Sequence, residues 1–139
     1  MTSQLNVDTI VDKAGSGGSN VKMANTSTYV SDGGAVTQNT VQGLTKAWLK
    51  HDSGDASIKD SLNHSSTSDI GTGRVQCFLT NNMASANNSC TSADNTGGIA
   101  SISNQVTMTA STYTSDHFNT SGSFQDAGFC STQMNGDLA

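Results

Sequence analysis

Three histidines (His51, His64, His117) and three cysteines (Cys77, Cys90, Cys130) are the side chains in this chain best suited to move a proton or hold a metal. His51 is followed closely by Asp52 and Asp55, a trio that mimics one corner of a metal site. The segment Asp52-Ser53-Gly54-Asp55 has a simpler reading as a turn, because Asp and Gly favour such positions. No HxH, HxxxH or carboxylate cluster reinforces the corner, so no metal ligand and no other cofactor is expected. Serine and aspartate are so frequent that a chance Ser/His/Asp triad carries little information, and no GxSxG elbow is present. No enzymatic activity is expected. Gly15-Ser16-Gly17-Gly18 lacks both phosphate-binding glycine patterns and reads as a linker. Trp48, Tyr113 and Phe118 offer large aromatic surfaces, read as core or subunit-interface anchors or as ligand-stacking platforms.

The cysteines carry no CxxC spacing, and three of them cannot all pair within one chain. They read as reduced thiols with Cys77 buried in a strand, a Cys77–Cys90 bridge between neighbouring strands staying open. The six basic residues are scattered, and the net charge of −5 argues against a phosphate-binding surface, so no nucleic acid is expected. The N-terminus has no basic region and no long apolar run, so neither a signal peptide nor membrane insertion is expected.

Positioning those residues falls to a thin core. Hydrophobic residues make up 33% of the chain, against about 45–50% (counting Gly) in ordinary domains, and charged residues 12% against about 25%. Low charge is the opposite of the disordered signature, so a β-rich core lined with Thr and Val, stabilised in part by neighbouring subunits, fits better. Residues 1–42 read as an extended arm and linker. Leu5, Val7 and Ile10 are its apolar face, and Asp12–Asn20 is Gly/Ser-rich. Residues 43–139 read as strands separated by Gly, Asn and Asp turns. Leu44–His51 is favoured as a strand over an amphipathic helix, Gly43 arguing against the latter. Arg74–Thr80 places Val75, Cys77 and Leu79 inward and Phe78 outward, and Val106–Thr114 alternates best of all, with residues 115–128 read as loop. The expected fold is an all-β, antiparallel, jelly-roll-like sandwich forming a knob, carried on the extended N-terminal arm.

The block Lys46–Thr80, KAWLKHDSGDASIKDSLNHSSTSDIGTGRVQCFLT, resembles a module of marine bacteriophage virion proteins, often found in tail fibres. Lys46-Ala47-Trp48, Asp60-Ser61-Leu62-Asn63, Ser65-Ser66 and Asp69-Ile70-Gly71-Thr72-Gly73 carry the likeness, with Gln42-Gly43-Leu44 ahead of them. Leu5–Ile10, followed by Asp12-Lys13-Ala14-Gly15, is similar to the opening of phage fibre and head-decoration proteins. The resemblance implies a non-enzymatic virion component made in the host cytoplasm. It further implies a homotrimer whose arm docks on capsid or tail proteins through Leu5, Val7 and Ile10. A host surface glycan is the alternative partner, at a fibre tip.

Overall fold

A computed structural model describes residues 28–30, 37–39, 43–95, 97–103 and 108–137. The chain divides into two compact units, Met1–Val41 and Gln42–Ala139. In the first, β1 (Thr28–Val30) and β2 (Thr37–Asn39) pair antiparallel. Leu5, Val7 and Ile10 lie outside the described residues.

In the second unit, alternating runs broken by Gly, Asn and Asp become β3 (Thr45–His51), β4 (Ile58–Leu62), β5 (His64–Gly71) and β6 (Arg74–Leu79). They are followed by β7 (Ser89–Asp94), β8 (Ile99–Ser103), β9 (Thr112–Phe118) and β10 (Cys130–Asn135). There is no helix among the described residues. The strands form two antiparallel sheets, β4-β3-β10-β7 and β5-β6-β9-β8, and the fold is the all-β sandwich expected. Its first strand pairs with its last, β3 with β10, and β6 with β9 nested inside them, which is the wrap of a jelly roll. The hairpins β3–β4 and β5–β6 each stay within one sheet, so the wrap is jelly-roll-like rather than regular.

The period of two sets what lies between the sheets. Ala47 and Leu49 from β3, Val75, Cys77 and Leu79 from β6, Tyr113 from β9 and Met134 from β10 are buried there, with Met83 closing one end. Burying each of the larger aliphatic side chains contributes about 1.5–3 kcal/mol. Two turns are dictated by single residues. Asn63, at φ 61°, carries the chain from β4 in one sheet to β5 in the other, a conformation Asn tolerates better than branched residues. Its side chain is fixed against Asn81, accepting from that residue's backbone N–H (2.7 Å) and donating to its carbonyl (3.1 Å). At the β5–β6 turn the Asp69 carboxylate accepts from the Gly71 N–H (2.8 Å), and Gly73 follows at φ 65°.

The sequence expectation fails at the ninth strand. The strand begins at Thr112 rather than Val106, and it runs to Phe118 through residues expected to be loop. Thr109 accounts for the late start: its hydroxyl accepts from the N–H groups of Ser111 and Thr112 (3.1 and 2.9 Å), a local turn that interrupts extension. The strand itself, TYTSDHF, is buried from Tyr113 to His117 although it is mostly polar, so apolar alternation could not mark it.

Gly73 bears on everything that follows, because its carbonyl accepts from the His117 N–H (2.8 Å). A Cβ there would lie 2.6 Å from the carbonyl oxygens of His117 and Gln125. Gly73→Ala is expected to destabilise the fold by about 2–4 kcal/mol, from strain at positive φ plus backbone overlap. Gly54→Ala, whose Cβ would find only ordinary contacts, the nearest at 3.4 Å, is expected to stay within about 0.5 kcal/mol. Urea denaturation of both variants checks the contrast.

Candidate functional site

The sandwich interior is apolar at one end and polar at the other, and strand register is the cause. Pairing sets His51 opposite Cys130 and Cys130 opposite Asp94, so β3, β10 and β7 contribute one continuous cross-strand row. Residues directly opposite share a face, and His51 and Cys130 are at most 1% exposed, as is the side chain of Asp94. The next rows of the same strands are Leu49, Thr132 and Ser92, then Ala47, Met134 and Cys90. From the facing sheet, β9 presents His117 to the polar row, with the His51 and His117 ring centroids 5.6 Å apart. One ligand atom each from His51, His117 and Cys130 lies within 4.8 Å of the others. The corner expected from sequence, His51 with Asp52 and Asp55, is a turn as read: Asp52 accepts from the Gly54 N–H and Asp55 from the Ser57 N–H (both 2.9 Å).

Local structure closes this end. Ser53 is laced to Ala127, its N–H donating to the Ala127 carbonyl (2.9 Å) and its hydroxyl accepting from the Ala127 N–H (2.7 Å). The Cys130 thiol donates to that same carbonyl at 3.4 Å. A register irregularity between Lys50 and His51 lies at the last β3–β4 pairs, the kind of bulge that re-aims a side chain. Burial lowers the pKa of His51 to about 4, and the neighbouring His117 and His64 push it the same way. Burial also lowers His117 against the opposing pull of Asp94, and it raises the Cys130 thiol to about 11. All three groups are therefore neutral near pH 7. Neither ring nitrogen of His51 has a hydrogen-bond partner among the described residues. A buried polar atom left so costs about 1–3 kcal/mol.

Ser115, His117 and Asp94 also meet in the order of a hydrolytic triad. Ser115 Oγ is 2.9 Å from His117 Nε2, and His117 Nδ1 is 3.5 Å from Asp94 Oδ2. Two facts separate this arrangement from a working nucleophile. The imidazole–carboxylate distance exceeds hydrogen-bond range, and Ser115 is 0% exposed, facing the opposite sheet rather than a cleft. Ser115 instead fixes the orientation of the His117 ring.

The aromatic residues singled out in the sequence go to different places. Tyr113 is a core residue whose hydroxyl meets Thr132 Oγ1 (2.6 Å) and His64 Nε2 (2.7 Å). Phe118, at the end of β9, stacks on Phe124 with centroids 4.6 Å apart, and Arg74 lies over Phe124 at 4.9 Å. Trp48 is half-buried in a shallow groove of about 390 Å³ lined also by Lys50, Thr91, Ser131 and Gln133. The three cysteines are free thiols, so the open Cys77–Cys90 bridge is not formed.

Nothing in comparisons with known protein families, curated proteins and solved structures matches this chain.

His64, outside the polar row, has its pKa lowered by burial, against the opposing effect of the Leu62 and Trp48 carbonyls. The unfolded chain therefore takes up this proton first. The stability His64 contributes is complete above about pH 6.5 and declines as pH falls toward its depressed folded value. Urea midpoints at pH 7.5 and 5.0 should fall for the natural chain and fall less for His64→Gln. Equal falls in both would remove His64 from the acid response.

Proposed function

We propose that this chain is a non-enzymatic structural component of a tailed-phage particle, an oligomeric fibre or decoration knob anchored through residues 1–42. The observation that carries the reading is the character of the sheet edges. Leu62 on β4, Ile70 on β5 and Ile99 on β8 are 46%, 38% and 58% exposed, and each lies on an edge strand. The chain has no proline and few charges to guard such edges. Covering them with copies of the same chain is the economical solution, in keeping with the homotrimer that the phage-module resemblance implies. The block carrying that resemblance forms β3 to β6, two strands of each sheet, so the likeness rests on scaffold. Docking of Leu5, Val7 and Ile10 onto a shell or tail subunit by strand addition completes the reading.

A second reading, host-glycan recognition, is favoured by the Trp48 groove, where an aromatic face meets hydroxyl and amide side chains.

Mass measurement of the purified chain should give a trimer. Deleting residues 1–20 should abolish incorporation into particles while leaving a soluble oligomer, and loss of folding instead would count against the arm. On a glycan array a purely structural knob binds nothing, whereas binding removed by Trp48→Ala would establish the second reading. A fluorophosphonate probe should leave Ser115 unlabelled, and labelling abolished by Ser115→Ala would replace both readings with a hydrolase.

A further inference from the structure

We propose that His51, His117, Cys130 and Asp94 form a structural zinc site that staples the two sheets together at their polar end. The donor set is the first argument. Two imidazoles, one thiolate and one carboxylate are donors that a zinc ion takes in tetrahedral sites, the Cys130 thiol releasing its proton to solvent as the metal binds, and sulfur with nitrogen donors disfavours magnesium and calcium.

Placement is the second argument. His51, Cys130 and Asp94 occupy one row of adjacent strands, and His117 faces them from the other sheet. Zn–N bonds of about 2.0–2.1 Å and a Zn–S bond of about 2.3 Å imply ligand-to-ligand edges of about 3.3–3.6 Å in a tetrahedron. His117 Nδ1 and Asp94 Oδ2 are already 3.5 Å apart, and the nitrogen and sulfur atoms of the other ligands lie within 4.8 Å of one another. His51, His117 and Cys130 form the close set, and Asp94 adjoins it through His117, so it joins as fourth ligand by side-chain rotation.

The third argument is the state of the ring nitrogens. Both nitrogens of His51 are buried without a hydrogen-bond partner among the described residues, and Nδ1 of His117 has Asp94 Oδ2 beside it at 3.5 Å. His117 Nε2 is already engaged by Ser115 Oγ at 2.9 Å, which leaves Nδ1, the atom beside Asp94, as the donor. Metal-binding histidines habitually tie their second ring nitrogen to an outer partner, and Ser115 fills that place. With His51, His117 and Cys130 each at most 1% exposed, the site is closed, which marks it as structural rather than catalytic. A surface depression is lined by Lys50, Asn95 and Phe129 together with Asp94 and Cys130 themselves.

The test uses the full chain, stripped by a chelator and then titrated with Zn²⁺ against a chromophoric competitor, with Co²⁺ as a spectroscopic stand-in. One equivalent of metal should bind, the melting temperature should rise by several degrees with Zn²⁺ and not with Mg²⁺, and Co²⁺ should give a thiolate charge-transfer band. Cys130→Ser should lose that band, and Cys90→Ser should keep it. X-ray absorption of the zinc-loaded natural chain should report one sulfur and two imidazole ligands, a measurement that does not depend on any variant folding. Failure of the natural chain to bind micromolar zinc would overturn the proposal, leaving the polar pocket to ordered water. Sulfur-free coordination, or a band that survives Cys130→Ser, would overturn it equally.

Discussion

The pairing of β10 between β3 and β7 is the constraint on which the rest of this structure depends. It joins the last strand of the second unit to its first, so the sheet β4-β3-β10-β7 is not complete until residues 45–51 and 130–135 have met. The same register decides which side chains share a row. Leu49 pairs with Thr132 and Ala47 with Met134, placing the apolar rows toward one end, and the next step puts His51, Cys130 and Asp94 together at the other. A slip of one residue in β10 would turn Cys130, Thr132 and Met134 outward and dismantle both ends at once. Because β3 and β10 are at opposite ends of the unit, this closure carries a high contact order, and the hairpins β3–β4 and β5–β6 are the local pieces available before it.

A chain with so little apolar content solves its core problem by dividing it. Around Tyr113, the aliphatic and sulfur-bearing side chains of three strands make a conventional core, and the tyrosine hydroxyl buried among them is held by Thr132 and His64. Around His117 the filling is different in kind. Imidazole rings and a thiol occupy the volume that leucine or valine would take elsewhere, and burial holds them neutral. Their shape contributes packing, whereas their unpaired nitrogens oppose it. The net effect at this end turns on whether something satisfies those atoms, which makes it the part of the knob most sensitive to its surroundings.

How far this was legible in the sequence follows from the range of the interactions. The Asp69–Gly73 turn, the alternation of Val75, Cys77 and Leu79, and the extended character of the Trp48 segment are local, set by glycine conformation and a period of two, and they can be read residue by residue. β9 is not legible in this way, because Val106, Met108 and Ala110 alternate well while the true strand is built of Tyr, Thr, Ser, Asp, His and Phe. What buries it is the pairing with β6 and β8 on either side, a tertiary fact that hydropathy does not carry. The polar row was less visible still. His51, Asp94, His117 and Cys130 are far apart in sequence and obey no ligand spacing, and the aspartates that do neighbour His51 turn out to cap their own turn. The register of β10 brings three of them into one row, and β9 of the facing sheet adds His117.

The two ends of the sandwich also bear differently on the mechanical role proposed for it. A knob that transmits force or holds a shell needs its sheets not to slide past one another, and apolar packing is non-directional, resisting separation better than shear. Directional contacts between the sheets supply what is missing. At one end Tyr113 reaches from β9 to Thr132 on β10. Beside the polar row the bonds brace each sheet by itself: the Ala127 carbonyl gathers the Ser53 N–H and hydroxyl with the Cys130 thiol at the β3 and β10 ends, and the Gly73 turn holds the backbone of His117 on β9. These bonds already fix the positions of His51, His117 and Cys130 within a few ångströms before any ligand is considered. A metal bound there would act on a frame held in place by backbone hydrogen bonds, so the ordering cost on binding is small, and most of its binding free energy would appear as resistance to parting the sheets.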